Sequence, residues 1–571
     1  MYDNWLSNPN LNTEGLNELS KIKTNDKEIE YRFGAELEFG TAGMRGLIGY
    51  GTNMMNIYTV RRATKGLAEY LKSLGNNAMK RGVVISYDTR NKSEIFAKAA
   101  AGVLSANNIN VYLFDDVRPV PMLSFAVRKL SAMAGIMITA SHNPKEYNGY
   151  KVYGDDGAQM SPEATEEVVK YISEIKDFFT IKDEELMYNK GMVNQYVTVI
   201  GKSIDNKFYK ALKKLTLSKT AVKKTGKNIK LVYTPIHGSG YIPVMTILKK
   251  IGIKATVVEE QKNKDINFST VQVPNPEYKE TLSMGIALAN KIKADVVLGT
   301  DPDCDRLGVA IRDTNGEFVN LSGNQTGILL LDYILTRLKE ENKLPTNGFV
   351  VKSFVTTGMA KAIVEDYGVE LIETPVGFKF IGEKIKLYEK DNSKQFIFGF
   401  EESCGYLRGT HCRDKDAVVA SMLFAEMVCY YTYKNISVYD RLLNIYDKYG
   451  YVLDKNVSIA YSGLNAMKEM NSVVDSLKNI KVEKFDIFNV VAIRDYFSGI
   501  RYISDGTQEQ LDISKTNCIY YEIENGSFIC VRPSGTEPKL KIYYSIKAND
   551  IKTAERSYVK LEKAFNNLLN K

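Results

Sequence analysis

Short apolar runs alternate with amphipathic segments along most of this chain. An apolar run of about five residues is typical of a buried strand, and apolar residues three or four positions apart are typical of a helix that covers a sheet. Predicted strands cover residues 81–87, 110–114, 134–138, 230–233, 254–258, 294–298, 348–352, 370–372, 395–398, 489–493, 518–522 and 527–531. Predicted helices cover residues 93–106, 162–178, 241–250, 278–293, 359–366, 417–433, 465–479 and 551–569. The alternation of the two predicts α/β domains.

The predicted elements divide the chain into four domains. Three are expected to be α/β domains with mixed sheets flanked by helices, over residues 1–215, 216–322 and 323–447. Residues 448–571 are expected to form a smaller α+β domain with an antiparallel sheet. A polar, lysine-rich stretch, residues 211–228, is predicted to be a linker. A chain of 571 residues is too long for one hydrophobic core, so its length also indicates several domains.

The composition predicts a soluble globular protein. Hydrophobic residues make up 44% and charged residues 25% of the chain, which is ordinary for such proteins. The longest apolar stretches fall short of the roughly 18 residues that cross a bilayer, and the polar start lacks the pattern of a secretory signal. We therefore expect a cytoplasmic protein with no membrane partner.

Charge and potential metal ligands narrow the function further. The net charge of +8 comes from interspersed basic residues without a long basic tract, so we expect an anionic small molecule rather than a nucleic acid as partner. Six cysteines without a C-x-x-C pair indicate neither a disulfide framework nor a structural zinc site. Because the chain has only three histidines, His142, His237 and His411, any metal is expected to be held by carboxylates.

The segment T-A-S-H-N-P-K-E-Y-N-G-Y-K, residues 139–151, follows the predicted strand 134–138. In open α/β sheets ligands bind at the carboxyl ends of strands, so Ser141 stands where a nucleophile can act. His142 and Lys151 add an imidazole and an amine nearby. The alternative is an ordinary loop, since the Asn-Pro and Asn-Gly pairs of this segment are common turn residues.

The segment D-P-D-C-D-R, residues 301–306, follows the predicted strand 294–298. If the segment is extended, its alternate side chains Asp301, Asp303 and Asp305 point the same way. Three carboxylates held together repel one another unless a cation lies between them, and oxygen ligands favour Mg²⁺. The alternative is a polar loop with solvated acids.

Two polar segments lie near the end of the third predicted domain. In G-F-E-E-S-C-G, residues 399–405, Glu401 and Ser403 offer a carboxylate and a hydroxyl that suit adjacent sugar hydroxyls. In H-C-R-D-K-D, residues 411–416, the basic residues, among them Lys415, could meet an anion or pair with the neighbouring aspartates. The alternative for the first segment is a charged turn.

The segment R-P-S-G-T-E-P-K-L-K, residues 532–541, offers groups that bind phosphate. Arg532 has a bidentate guanidinium, Ser534 and Thr536 have hydroxyls, and Gly535 lets backbone N–H groups approach an anion. The alternative is a Ser-Gly turn between two strands.

A glycine-rich segment, G-T-A-G-M-R-G at residues 40–46, carries Arg45. Its spacing differs from that of a dinucleotide-binding loop. Four of the segments, at residues 139–151, 301–306, 399–405 and 532–541, occur here in the order in which one family has them. On these motifs the chain resembles the α-D-phosphohexomutase superfamily, the phosphoglucomutase/phosphomannomutase family, from Gly40 to the terminal domain.

The resemblance implies an enzyme that carries a phosphoserine and needs Mg²⁺. By resemblance, Ser141 carries the phosphoryl group, Lys151 is the general base, and Arg306 lies beside the transferring group. We expect His142 to line the site without serving as the base, because adjacent side chains on an extended strand diverge. The implied metal ligands are Asp301, Asp303, Asp305 and an oxygen of the phosphorylated Ser141. The implied substrate contacts are Arg45, Glu401, Ser403, Lys415, Arg532, Ser534, Gly535 and Thr536.

The implied reaction interconverts glucose 1-phosphate and glucose 6-phosphate. The phosphoserine donates its phosphoryl group to the sugar phosphate, giving glucose 1,6-bisphosphate. This intermediate reverses its orientation, and its other phosphate then returns to Ser141. The loop E-E-S-C-G is closer to the glucose-type pattern than to G-E-M-S-G, so glucose is favoured. A phosphomannomutase or a phosphopentomutase of the same superfamily is the alternative.

Two interpretations from other classes remain open. A strand followed by D-x-D also occurs in Mg²⁺-dependent phosphatases, which would make Asp301 the phosphorylated residue and Ser141 incidental. A non-catalytic phosphosugar-binding or basic scaffold protein would bind ligand without turnover. The resemblance leaves the oligomeric state as a monomer or a homodimer.

Overall fold

The computed structural model describes residues 1–40, 43–181, 195–461, 466–478, 480–534 and 539–569. The chain divides into two units. Unit 1 comprises Met1–Leu321, Ile385–Leu387 and Cys404–Lys434, and unit 2 comprises Ser322–Lys384, Tyr388–Ser403 and Asn435–Lys571. Within the described ranges, no helix is long and apolar enough to cross a membrane.

The first sheet of unit 1 is mixed. Its strands are β1 (Gly43–Leu47), β2 (Val83–Tyr87), β3 (Val111–Phe114), β4 (Ala134–Ile138), β5 (Tyr147–Tyr153) and β6 (Val197–Ile200). Their order is β1-β5-β4-β2-β3-β6, and β5 runs antiparallel to β4 and β1 while the other pairs are parallel. The accompanying helices are Tyr2–Leu6, Thr13–Lys21, Asp26–Phe33, Ile57–Ser73, Asn76–Arg81, Ser93–Ala106, Val120–Leu130, Pro162–Glu174 and Lys202–Lys213. Because β2 and β4 are parallel neighbours, their carboxyl ends meet at one edge of the sheet.

Helix Ile57–Ser73 shows how this sheet is covered. Its apolar residues recur every three or four positions, and Val60 and Leu67 are fully buried in the core. Gly66 allows close packing against a second helix, because a Cβ at this position would lie 2.3 Å from Ile172 Cγ1. The helix thus shares one core with β2 and β4, which pair in parallel register.

The second sheet of unit 1 is also mixed. Its strands are β7 (Leu231–Thr234), β8 (Ala255–Val257), β9 (Val296–Thr300), β10 (Leu307–Arg312) and β11 (Phe318–Leu321), in the order β11-β10-β9-β7-β8. Strand β7 is parallel to β8 and β9, whereas β10 is antiparallel to both its neighbours. The accompanying helices are Lys219–Thr225, Tyr241–Ile251, Glu259–Lys262 and Ser283–Ile292, with a 3₁₀ helix at Lys279–Leu282.

The prediction of a linker at residues 211–228 is wrong. These residues close helix Lys202–Lys213 and form helix Lys219–Thr225. The second helix packs against helix Ala417–Tyr433 of the same unit. Glu426 of that helix accepts hydrogen bonds from the backbone N–H groups at positions 217 and 218, at 2.7–3.0 Å. A lysine-rich segment is therefore helical here because tertiary contacts stabilise it.

Unit 2 begins with a parallel arrangement of three strands. These are β12 (Gly348–Ser353), β13 (Glu370–Thr374) and β14 (Gln395–Glu401), with β12 in the centre. The next strand, β15 (Gly405–Leu407), belongs to unit 1. The helices between Ser322 and Tyr449 that fall wholly or mainly in unit 2 are Gly323–Glu340, Met359–Asp366, Phe378–Asp391 and Val438–Tyr449.

The C-terminal part of unit 2 is an antiparallel sheet with helices on it. Its strands are β16 (Tyr451–Ala460), β17 (Lys484–Phe485), β18 (Phe488–Asp495), β19 (Ile500–Ile503), β20 (Gln508–Gln510), β21 (Ile519–Ile523), β22 (Phe528–Pro533) and β23 (Lys539–Ala548). Their order is β16-β23-β22-β21-β18-β19-β20, and β17 pairs with β18. Helices Ala466–Lys478 and Ile551–Leu569 pack on this sheet, with Leu561 and Phe565 in its core. The predicted fold class, three α/β domains with mixed sheets and a smaller α+β domain, is confirmed.

Candidate active site

Ser141 lies just beyond the end of β4, at the carboxyl edge of the first sheet. Its backbone φ is +53°, in the left-handed region that residues other than glycine seldom adopt. Its N–H donates to Thr139 Oγ1 at 2.8 Å, and the Thr139 hydroxyl donates to Asp88 Oδ2 at 2.6 Å. These bonds fix the turn that presents the Ser141 hydroxyl.

A buried ion pair at the end of β2 supports the same loop. Arg90 Nε lies 3.2 Å from Asp88 Oδ2, and both side chains are fully buried. The Arg90 guanidinium donates to four backbone carbonyls of the loop, those of Ser141, Asn143, Pro144 and Tyr147, at 2.5, 2.6, 2.8 and 3.2 Å. Neither residue is predicted from the sequence. The triplet D-T-R directly after the predicted strand 81–87 is the signal that could have found them, because β2 and β4 end at the same edge.

His142 lies closer to the Ser141 hydroxyl than expected. Ser141 Oγ and His142 Nδ1 are 3.2 Å apart, so the expectation that these adjacent side chains diverge is wrong. The left-handed backbone at Ser141 replaces the extended geometry on which that expectation depends. Burial, followed by the charges of Arg306 and Arg45, lowers the pKa of His142 well below its ordinary value. His142 is therefore a neutral imidazole beside the hydroxyl.

The three aspartates that follow β9 stand on a turn, so the prediction of an extended segment is wrong. Cys304 in this turn has a φ of +51°. Asp301, Asp303 and Asp305 nevertheless converge, with oxygen atoms within 4.8 Å of one another. Asp301 Oδ1 accepts the backbone N–H groups of Asp305 and Arg306 at 3.1 and 3.0 Å, which closes the turn.

The electrostatics of this triad fit a bound cation. Burial and the charges of the other two carboxylates raise the pKa of Asp301 well above its ordinary value. Burial raises the pKa of Asp305 as well. At Asp303 burial is opposed by the charge and hydrogen bond of Lys151, by a hydrogen bond with Asp301 and by the charge of Lys415, which together lower the pKa. Within the described part of the chain, the Oδ1 atoms of Asp303 and Asp305 are buried without a hydrogen-bond partner. Converging carboxylate oxygens with unsatisfied lone pairs are the donor set that Mg²⁺ takes.

Each carboxylate of the triad has a polar neighbour from elsewhere in the chain. The pairs are Ser141 Oγ with Asp301 Oδ2 at 3.1 Å, Lys151 Nζ with Asp303 Oδ2 at 2.9 Å, and Lys415 Nζ with Asp305 Oδ2 at 3.2 Å. Lys415 also lies 3.0 Å from Asp414 Oδ1. The serine and both lysines therefore surround the triad within unit 1.

Two arginines complete this group of side chains. Arg306 pairs with Glu277, and its Nε lies 3.9 Å from Asp305 Oδ1. Arg45 Nη1 donates to Asn143 Oδ1 at 2.9 Å, in the loop that carries Ser141. Unit 1 thus brings together all the predicted catalytic and metal-binding residues, with Arg45 and Lys415.

The predicted sugar loop stands at the end of β14 in unit 2. Glu401 is buried, and its Oε1 accepts the Gly377 N–H at 2.8 Å. Ser403 is half-buried. Between them, Glu402 Oε2 accepts the hydroxyl of Ser353 at 3.2 Å, a contact that anchors the loop and that the sequence analysis does not predict.

The predicted phosphate loop stands at the end of β22 in unit 2. Arg532 Nε lies 3.4 Å from the Tyr543 hydroxyl, and its guanidinium is 5.9 Å from the ring centre of the same tyrosine. Ser534 is buried. Gly535 and Thr536 lie outside the described residues. The tyrosine contact orients the guanidinium at the end of the strand.

Comparison with known families identifies three of the domains. The chain matches the family models described as phosphoglucomutase/phosphomannomutase, alpha/beta/alpha domains I, II and III, at residues 36–178, 206–316 and 322–449. These matches include the serine loop, the aspartate triad and the sugar loop.

Relatives and a solved structure extend the match over nearly the whole chain. A protein of Staphylococcus saprophyticus named Phosphoglucomutase is 35% identical over 96% of each chain, and one of Staphylococcus aureus with the same name is 38% identical over 92% of each chain. A crystal structure of a Thermus thermophilus protein assigned as a phosphomannomutase has a TM-score of 0.68 at 21% identity. The match covers 94% of this chain and 100% of that one, and it shows a likeness of fold. The chain belongs to the phosphoglucomutase/phosphomannomutase family.

Proposed function

We propose that this protein is a phosphoglucomutase, which interconverts glucose 1-phosphate and glucose 6-phosphate. The similar proteins that bear this name cover at least nine-tenths of the chain. The observation that carries the proposal is the Ser141 hydroxyl, 3.1 Å from Asp301 in a triad of converging carboxylates. A buried serine beside a cation-binding group is suited to carry a phosphoryl group and to protect it from water.

Asp301, Asp303 and Asp305 are proposed to hold Mg²⁺, together with a phosphate oxygen carried by Ser141. When bound, the ion offsets the negative charge of the phosphoryl oxygens. The unpartnered Oδ1 atoms of Asp303 and Asp305 support this role. Arg306, next to Asp305, adds a fixed positive charge close to the group that is transferred.

Lys151 is proposed as the general base and acid. In its neutral form the amine takes the proton of the attacking sugar hydroxyl at Nζ. The ammonium that results is stabilised by Asp303 at 2.9 Å and returns the proton when the phosphoryl group goes back to Ser141. His142 remains neutral, and its Nδ1 at 3.2 Å orients the Ser141 hydroxyl.

The glucose 1,6-bisphosphate intermediate has to reverse its orientation between the two half-reactions. Glu401 and Ser403 are proposed to bind sugar hydroxyls in either orientation. The phosphate that is not reacting is proposed to bind Arg532, Ser534, Gly535 and Thr536. Arg45 and Lys415 are proposed as further basic contacts of the substrate. Both ends of the bisphosphate can use the same groups, because each end is a phosphate.

The proposal also includes the organisation of the protein in the cell. We infer a cytoplasmic enzyme that is a monomer or a homodimer, with domain boundaries at residues 215/216, 322/323 and 447/448. The E-E-S-C-G loop favours glucose over mannose as the sugar.

Parallel turnover measurements with glucose 1-phosphate, mannose 1-phosphate and ribose 1-phosphate test the proposal. With Mg²⁺ and a trace of the corresponding bisphosphate, kcat/KM is expected to be highest for the glucose ester. A higher value for mannose or ribose would make the protein a phosphomannomutase or a phosphopentomutase. Binding without any turnover would favour a non-catalytic protein. Peptide mass spectrometry should find phosphate on Ser141, and phosphate on Asp301 would instead indicate a phosphatase.

A further inference from the structure

A second group of potential metal ligands lies in unit 1, apart from the three aspartates of the triad. His411, Cys412 and Asp416 each offer one ligand atom, and these atoms lie within 4.8 Å of one another. The three residues stand on one short segment, H-C-R-D-K-D. The proposed reaction uses none of them.

The contacts of His411 and Cys412 show how these two side chains are held. His411 Nε2 lies 2.7 Å from Asp416 Oδ2, but its buried Nδ1 has no hydrogen-bond partner among the residues that the structure describes. The Cys412 thiol is fully buried and donates to the Asp414 carbonyl at 3.4 Å. The imidazole, the thiol and the carboxylate nevertheless converge inside the protein.

The surrounding fold holds the group in place. Asp416 caps helix Ala417–Tyr433, and its Oδ1 accepts the N–H groups of Val418 and Val419 at 2.8 and 2.9 Å. Asp416 Oδ2 therefore remains turned towards His411. The His411 ring packs edge-on against Phe208, with ring centres 5.7 Å apart.

We propose that His411, Cys412 and Asp416 bind a borderline-soft divalent cation of the zinc class. Imidazole and thiolate select such a cation, whereas the oxygen-only triad selects Mg²⁺. On binding, the Cys412 thiol releases its proton to solvent, and His411 keeps one proton on Nδ1 so that the Nε2 lone pair binds the metal. Two ligands of a tetrahedral zinc ion lie about 3.3 Å apart, so the 2.7 Å contact has to open by about 0.6 Å. A water molecule would supply the fourth ligand.

A cation bound at this site would also affect Lys415, which lies beside the triad. Lys415 lies between Cys412 and Asp416 in the chain, and its Nζ is 3.2 Å from Asp305. A cation bound to Cys412 and Asp416, on either side of Lys415 in the chain, would fix the position of Lys415 beside the triad. This consequence rests on the proposed function, whereas binding itself does not.

Cobalt substitution in the full chain tests the site independently of turnover. Protein that has been stripped of metal and then saturated with Mg²⁺ is titrated with Co²⁺ and followed by absorption. We expect a thiolate-to-cobalt charge-transfer band that saturates at one equivalent and is displaced by Zn²⁺. The oxygen-only triad cannot produce this band. Cys412→Ser should abolish it, and Cys429→Ser, a change of another buried cysteine in unit 1, should retain it.

His411→Gln is the second variant, and it serves if Cys412→Ser does not fold. It should weaken Co²⁺ binding at least tenfold, as the half-saturation point of the band reports. Absence of the band from the wild-type protein would overturn the proposal. Its persistence in Cys412→Ser, or unchanged Co²⁺ affinity in His411→Gln, would overturn it equally.

Discussion

Arg90→Lys is the substitution that most directly tests how the Ser141 loop is held. Lysine keeps a positive charge beside Asp88, so the variant removes the planar guanidinium without leaving a buried carboxylate alone. The guanidinium donates to four carbonyl oxygens of the loop, at 2.5–3.2 Å. A single ammonium cannot reach all four, because its three donors diverge from one nitrogen atom.

The expected effects follow from these contacts. A hydrogen bond from a charged donor contributes about 1.5–3 kcal/mol, so the loss of two of them lowers the free energy of unfolding by about 3–6 kcal/mol. For a domain of this size that corresponds to a fall in Tm of at least about 6 °C. The loop would also shift, and a displacement of about 1 Å at a reacting group lowers kcat on the order of 100-fold.

Thermal unfolding and steady-state turnover measure the two effects on the same preparations. Arg312→Lys is the matched control, since Arg312 donates to the carbonyls of Ala294 and Gly316 in the second sheet, at 2.8 and 2.6 Å. This control should lose stability while keeping its kcat. If Arg90→Lys loses stability and yet turns over like the wild type, the role of Arg90 in positioning Ser141 is refuted.

Three further predictions concern other parts of the molecule. Ser141→Ala should abolish turnover in the activity assay and protein-bound phosphate in mass spectra. The control Ser421→Ala, at another buried serine, should keep both, and turnover by Ser141→Ala would contradict a phosphoserine enzyme. Arg532→Ala should raise KM by about 10- to 100-fold, the effect of losing one charge-assisted hydrogen bond to phosphate, and an unchanged KM would rule out that contact. Burial raises the pKa of Asp454 from 3.8 to about 6. Between pH 3.8 and about 6 the folded protein therefore binds a proton that the unfolded chain has lost. Stability therefore falls by about 3 kcal/mol as the pH rises through this window, and Asp454→Asn should remove that fall in guanidinium unfolding measured at several pH values. A stability difference between the two proteins that does not change with pH would contradict the raised pKa.

Much of the fold can be predicted because its elements have clear apolar patterns. The strand Ala134–Ile138 and the helices Met359–Asp366 and Ile551–Leu569 begin and end where the sequence predicts them. Helix Lys219–Thr225 could not be predicted in this way. At seven residues it is too short to be stable on its own, and the contacts that stabilise it come from a helix some two hundred positions later, including Glu426.

The site could be predicted only as a set of loops. The rule that ligands bind at the carboxyl ends of strands selected Ser141, whereas the D-P-D-C-D-R pattern and the family resemblance selected the three aspartates. The rule does not say which side chains pair. That Lys151 meets Asp303 and that Lys415 meets Asp305 depends on tertiary distances of about three ångströms, which no local pattern encodes.

Backbone conformation explains why the geometry inside each loop was mispredicted. Ser141 and Cys304 both have positive φ, and left-handed geometry costs about 1–2 kcal/mol for each such residue. An extended segment avoids that cost, so local reasoning chose it and placed His142 away from the hydroxyl. At Ser141 the cost is offset by the hydrogen bond to Thr139 and by two residues from outside the loop, Asp88, which holds the Thr139 hydroxyl, and Arg90, whose guanidinium donates to the loop carbonyls. The Ser141 turn is therefore held by Asp88 and Arg90, two buried residues at the end of a neighbouring strand, and this is why removing the bonds of the guanidinium should disturb catalysis as well as stability.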